Sequence, residues 1–142
     1  MKLKRFRSQK GAALIEAAVT IPMILLISVG IFEFGRAYQT WEVLTNASRE
    51  GARLACLEGP TDADVRTRVN AYLTGGGLAT LPDGNIVVSR AVTLGTSTGS
   101  RVQVNYPFQF MVLNPVVRLI VPSDKTTGAP ITIAAATVMR NE

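Results

Sequence analysis

Hydrophobic positions along this chain come in three different rhythms. From Ala12 to Phe32 there is no alternation at all: 21 residues run apolar, with Glu16 as the one charged position. A helix of that length rises roughly 31 Å at about 1.5 Å per residue, close to the hydrocarbon thickness of a bilayer. After Phe32 the pattern becomes helical. Phe34, Ala37, Tyr38, Trp41, Leu44, Ala47, Ser48, Gly51, Ala52 and Ala55 follow i, i+3, i+4, i+7 spacing, and Arg36, Gln39, Glu42, Asn46, Arg49, Glu50 and Arg53 take the other side. One helix is therefore predicted from about Ala12 to about Leu57, ended by Gly59-Pro60. Along its outer half the apolar face passes from aromatic to small, and Ala47, Ser48, Gly51 and Ala52 permit another backbone to come close. Tyr38 and Trp41 lie on the same face and are expected to plug the space between helix and sheet, with interfacial anchoring as the alternative.

A second, shorter helix is predicted after Thr61, which stands as N-cap with Asp62 and Asp64 in the first turn. Val65, Val69, Tyr72 and Leu73 mark its apolar side, and Gly75-Gly76-Gly77 stops it. No strand precedes the three glycines and no Lys-Ser/Thr follows, so they do not form a phosphate loop. The remainder alternates with period two. Ile86 to Thr93 reads as a strand, Gly95 to Ser100 as a turn, and Arg101 to Phe110 as a strand with Val102, Val104, Tyr106, Phe108 and Phe110 on one face. Pro107 predicts an edge position or a break in the ladder. Met111 to Val121, with Pro115 inside it, is expected to be an irregular connection, and Ile131 to Arg140 a third strand. The predicted fold is α+β: a long N-terminal helix, transmembrane and continuing outside the membrane, a short second helix, and a small antiparallel sheet of about three strands.

Charge changes the picture once it is mapped. The net charge is +5, but Lys2, Lys4, Arg5, Arg7 and Lys10 all precede Gly11, and everything after Gly11 is formally neutral. The basic balance belongs to a short leader, and no basic stripe interleaved with aromatics is left to bind nucleic acid. The excess of positive charge before the apolar run places the N-terminus in the cytoplasm. Residues 1–11 are thus a basic leader, 12–34 the transmembrane half of the helix, and 35–142 an extracytoplasmic α+β domain.

The chain has no histidine and one cysteine, Cys56. This excludes Ser-His-Asp and Cys-His catalysis, histidine or cysteine zinc clusters, and an intramolecular disulfide. Cys56 is expected to be buried beside Ala55, with an intermolecular disulfide as the other option. Glu58, Asp62 and Asp64 lack the spacing of an EF-hand loop. No catalytic residue, metal site or cofactor is predicted, and the chain is not expected to be an enzyme.

Glu16 is the anomaly. A carboxylate at mid-membrane costs on the order of 2.5–3.5 kcal/mol, less near the interface. Three readings of the segment compete: a secretory signal peptide cleaved near Ser28 and Gly30, an uncleaved signal anchor, and a leader removed on the cytoplasmic side. Only the last gives Glu16 a partner. A cut between Gly11 and Ala12 makes Ala12 the first residue and Glu16 the fifth, and the new α-amino cation offsets the carboxylate's penalty.

A basic leader, then Gly11, then Glu16 at the fifth position of an apolar helix resembles type IV prepilins and pseudopilins. With "EFGRA" and "TNASREGAR" between Glu33 and Arg53, and a terminal strand ending in "VMR", the chain resembles the TadE-like minor pilin family of the tight-adherence (Tad, type IVc) pilus system. Ala17 departs from the family, whose members often carry an aromatic residue there. The resemblance implies a structural minor pilin or pseudopilin that takes part in assembling a pilus for surface adhesion and biofilm formation. It implies processing by a prepilin peptidase at Gly11 and Ala12, and an assembly role for Glu16 opposite the amine of a neighbouring subunit. Its partners would be the bacterial inner membrane, other minor and major pilins, and assembly-platform proteins. Glu33, Arg36, Arg49, Glu50 and Arg53 are candidate subunit contacts, although local ion pairs within the helix are the favoured reading for them. The alternative function is an exported binding or adhesive domain on a membrane anchor, outside any filament.

Overall fold

The computed structural model describes residues 7–115 and 129–141, with side chains from Gly11 onward. Helix α1 runs unbroken from Arg7 to Ala55, through Pro22, and is followed by α2 (Asp62–Gly75) and a short 3-10 turn at Asp83–Asn85. Strands β1 (Ile86–Leu94), β2 (Ser97–Phe108) and β3 (Ile131–Arg140) form one antiparallel sheet in the order β1-β2-β3. The outer half of α1 lies across β2 and β3 and beside α2. The expected α+β fold is the one observed.

Small residues decide how close these layers come. Leu44, Ala47, Ser48, Ala52 and Ala55 are buried on the face of α1 that meets Val65, Val69 and Leu73 of α2 and Ile86, Val102 and Val104 of the sheet. A Cβ on Gly51 would stand 2.6 Å from Val69 Cγ2 and 3.2 Å from Val102 Cγ1, so any side chain there pushes α1 off both neighbours. Ser48 bridges the layers directly, its hydroxyl 2.8 Å from that of Thr137 on β3.

The caps follow from local chemistry. Thr61 Oγ1 accepts from the Asp64 amide, while the Thr61 amide donates to the Asp64 carboxylate at 2.8 Å, a reciprocal capping box. These bonds, the Thr61 hydroxyl's foremost, hold the Asp64 carboxyl below its ordinary range. At the far end Gly77 takes φ +78, its amide donates to Thr74 O, and the Leu78 amide donates to Leu73 O, a Schellman closure. Gly76 serves another purpose: a Cβ on it would meet Val43 Cγ1 at 2.5 Å, where the helix end abuts α1.

The sheet departs from expectation at its first turn. Gly95 and Thr96 alone connect β1 to β2, since Leu94 already pairs with Ser97 and Thr93 with Thr98. Ser97 to Ser100 is therefore strand and not turn, because the threonine and small polar residues there fit a ladder as readily as a loop. β1 pairing ends at Val104, so Pro107 sits on a part of the central strand that has only β3 as a partner, where a missing amide is tolerated. β2 ends at Phe108, two residues short of the expected Phe110; residues 109–112 continue irregularly, and 113–115, expected to be irregular, take helical backbone. The rest of the expected connection, from 116, lies outside the described residues.

Candidate functional site

The lower part of α1 presents its side chains outward. An 18-residue window there has a mean hydropathy of 2.3 and none of it is buried against the protein. By length and composition this helix is able to cross a membrane once, as anchoring requires. Gly11, Ala12 and Glu16 are exposed on it, with no neighbour within 4 Å of a Cβ placed on Gly11. Among the described residues Glu16 has no ion-pair partner.

Where this bare stretch ends, the chain builds a compact polar and aromatic junction. Glu33 is fully buried. Its Oε1 accepts the Val112 amide, and its Oε2 accepts from Arg36 Nη1 at 2.9 Å. Arg36 lies with its guanidinium carbon 5.3 Å from the centroid of the Phe108 ring, a cation–π contact. Phe108 and Phe110 meet edge to face at 5.3 Å between centroids, and Phe110 meets Phe34 in the same manner at 6.4 Å. The Glu33–Arg36 pair is thus local, as favoured from the sequence, but Glu33 also reaches the segment after β2. That second contact was invisible in the sequence, because its donor is a backbone amide 79 positions away.

Tyr38 and Trp41 do not plug the helix–sheet space. They are 59% and 44% exposed and contact each other at 5.9 Å. The face of α1 that turns inward carries Glu33, Thr40 and Leu44, about one residue's rotation from the aromatic stripe. Polar residues at 33 and 40 disguised that face: Thr40 satisfies its hydroxyl by donating to Arg36 O, and Glu33 through the junction.

Higher on α1, Glu50 accepts from Arg53 on its own helix and from Arg68 on α2, at 2.8 and 2.7 Å. The hydrogen bond from Arg53, then that from Arg68, lower the Glu50 pKa from 4.5 to about 2 against the opposing effect of burial. Glu50 in turn raises that of Arg53. Arg49 takes no part and donates to Asn46 at 3.4 Å. Glu50 and Arg53 thus form the expected local pair, extended to a second helix.

One further residue escaped the sequence reading. Arg90 on β1 donates to Ala55 O at 3.0 Å and Pro60 O at 2.8 Å, and pairs with Asp62 at 2.8 Å. It closes the C-terminus of α1, where a cation suits the helix dipole. A bulge between Ser89 and Val92, with Ala91 at φ 58, lies beside it. Cys56 is partly buried, its thiol 3.4 Å from Met139 O.

A groove of about 510 Å³ separates α1 from α2, lined by Val43, Asn46, Arg68, Tyr72 and Gly76 among others. Among the described residues there is no cluster of three metal-ligating side chains.

Residues 11–53 match the family model described as TadE-like protein. The match starts at Gly11 and stops two residues before α1 ends. It bears out the resemblance on the helix and leaves α2 and the sheet outside it. No curated protein and no solved structure matches the chain.

Proposed function

We propose that this chain is a minor pilin or pseudopilin of a Tad-type pilus, held in the bacterial inner membrane by the lower half of α1, with its head on the outer side. The TadE-like match over residues 11–53 supports an association of the helix with a pilus system. The observation that carries the finer reading is the placement of Glu16. It lies five residues after Gly11 on a stretch of helix that buries nothing in its own chain. A carboxylate in that position is costly until a cation meets it. Cleavage between Gly11 and Ala12 by a prepilin peptidase creates such a cation, and a neighbouring pilin brings its own. The apolar surface of α1 then exchanges lipid for the helices of other minor and major pilins, under the control of assembly-platform proteins. No cofactor enters this role.

The mature N-terminus tests the first step. Mass spectrometry of protein from the native membrane is expected to find Ala12 first. An intact Met1 would make the chain an uncleaved anchor, and a start near Ile31 would make it a conventionally secreted domain. Glu16→Ala tests the second step: the protein is expected to insert as well as before or better, yet to be lost from sheared pili. Normal recovery of the variant in pili would refute the charge pairing.

A further inference from the structure

The chain after β2 descends along α1 toward the membrane. Phe108 lies against Arg36, Phe110 against Phe34, and the Val112 amide against Glu33, so successive residues meet successively lower levels of the helix. Side chains on an α-helix lean toward its N-terminus, which here is the membrane side, so the Glu33 carboxylate draws the tip lower still. Glu33 stands one residue, about 1.5 Å of axial rise, above Phe32, the last position of the apolar run. Polar headgroup regions extend roughly 5–7 Å beyond the hydrocarbon on each side. The lowest of these contacts, from Phe110 to Val112, falls within that layer.

Its surface has the composition of an interface. Met111 is 63% exposed, and at the same level of α1 Ile31, Phe32 and Phe34 are 57% to 71% exposed. Arg36, a third exposed, holds its guanidinium over Phe108 and against Glu33 and so adds a cation at the same level. The patch is continuous with the membrane-crossing surface of α1 but comes from a second part of the chain.

We propose that the Phe110–Val112 tip is a second membrane contact, seated in the outer headgroup layer, and that Glu33 is the positioning residue that holds it there. A helix crossing a bilayer leaves its head free to tilt and to turn about the helix axis. A second contact beside the first fixes both, so the head and its exposed Tyr38–Trp41 pair face one direction along the membrane plane. The inference rests on the membrane anchoring proposed above for the lower half of α1.

The experiment uses the full chain in phosphatidylcholine–phosphatidylglycerol vesicles. The protein has a single tryptophan, so Trp41→Phe supplies a dark background. Into it are placed either Met111→Trp or, as a reference in the span, Ile24→Trp. Lipids brominated near the headgroup are expected to quench Met111→Trp more strongly than lipids brominated near the chain end, and chain-end bromines to quench Ile24→Trp. Adding Glu33→Ala is expected to abolish quenching of Met111→Trp and leave that of Ile24→Trp unchanged. If Ile24→Trp is quenched while Met111→Trp stays bright in every lipid, the second contact does not exist. A bright but blue-shifted Met111→Trp would overturn it in favour of packing against another copy of the chain. If Ile24→Trp itself is unquenched, the anchoring reading falls instead.

Discussion

Two stretches of one helix meet opposite fates. Ile21, Met23, Ile24, Leu25, Leu26 and Ile27 are each 57–60% exposed, so no side of the helix is favoured over another. At Leu44, Ala47, Ser48, Ala52 and Ala55 burial is complete or nearly so, and Asn46, Arg49 and Arg53 between them stay in solvent. The lower stretch is the more hydrophobic yet contributes nothing to the chain's own core. Hydrophobic content alone says that a surface must leave water; periodicity says whether the chain's own fold can take it in. An apolar surface on every side calls for lipid or for several neighbouring helices.

Leu44→Ala is the strongest way to break this contrast. Leu44 is wholly enclosed where α1 meets the sheet, so the truncation leaves a cavity in close-packed surroundings. A loss of about 3 kcal/mol in the stability of the head is expected, read from denaturant unfolding of the full chain in detergent followed by sheet signal. A change below about 0.5 kcal/mol would mean that the outer half of α1 does not pack as described.

Glu33→Ala follows in size, and it acts at the border of the two regions. It leaves the partly buried Val112 amide without an acceptor and Arg36 without its pair, a loss of about 2 kcal/mol. Because the junction is local, hydrogen exchange is expected to speed up at Val112 and its neighbours far more than in the centre of the sheet. Uniform acceleration would show that the junction and the core unfold as one.

How far the sequence could foresee this junction shows where pattern reading stops. β3 has the expected limits, Ile131 to Arg140, because a run without Gly or Pro follows directly on Pro130. The Thr61 cap and the glycine stop were legible because capping depends on residue type and on neighbours within four positions. Glu33 was placed on the helix with a local ion pair favoured for it, but its burial was not foreseen. A carboxylate just past an apolar run looks like a surface charge, and a backbone amide, its distant partner, has no residue-type signature. Arg90 failed for the same reason, since two of its three acceptors are carbonyl oxygens. Tyr38 and Trp41 misled in the opposite direction: aromatic size outweighed the rotation that separates their stripe from the buried one.

Glu50→Gln should cost less, about 1 kcal/mol, because both guanidinium partners are more than half exposed and solvent screens them. Its pH dependence has a definite sign. The Glu50 carboxyl titrates near 2 in the folded head instead of 4.5, so its contribution is complete above about pH 4.5 and fades as the pH falls toward about 2. In the wild-type chain stability should therefore drop through this window, and the drop should be shallower in Glu50→Gln. Parallel profiles would place the acid sensitivity elsewhere.

The smallest expected effect tests the comparison most directly. Leu25→Ala makes the same chemical change as Leu44→Ala, on the same helix, at a residue 60% exposed. In detergent the removed methyl groups contacted only apolar solvent, so no cavity forms and head unfolding should shift by less than about 0.5 kcal/mol. The cost should appear instead where lower helices meet one another. On the proposed incorporation into a pilus, Leu25→Ala is expected to lower the temperature at which subunits dissociate from isolated, sheared pili. Equal head destabilisation by Leu25→Ala and Leu44→Ala in detergent would mean that the lower half is already packed against protein before any filament forms. Its complete exposure would then belong to a single chain only, and the working unit in the membrane would be an oligomer.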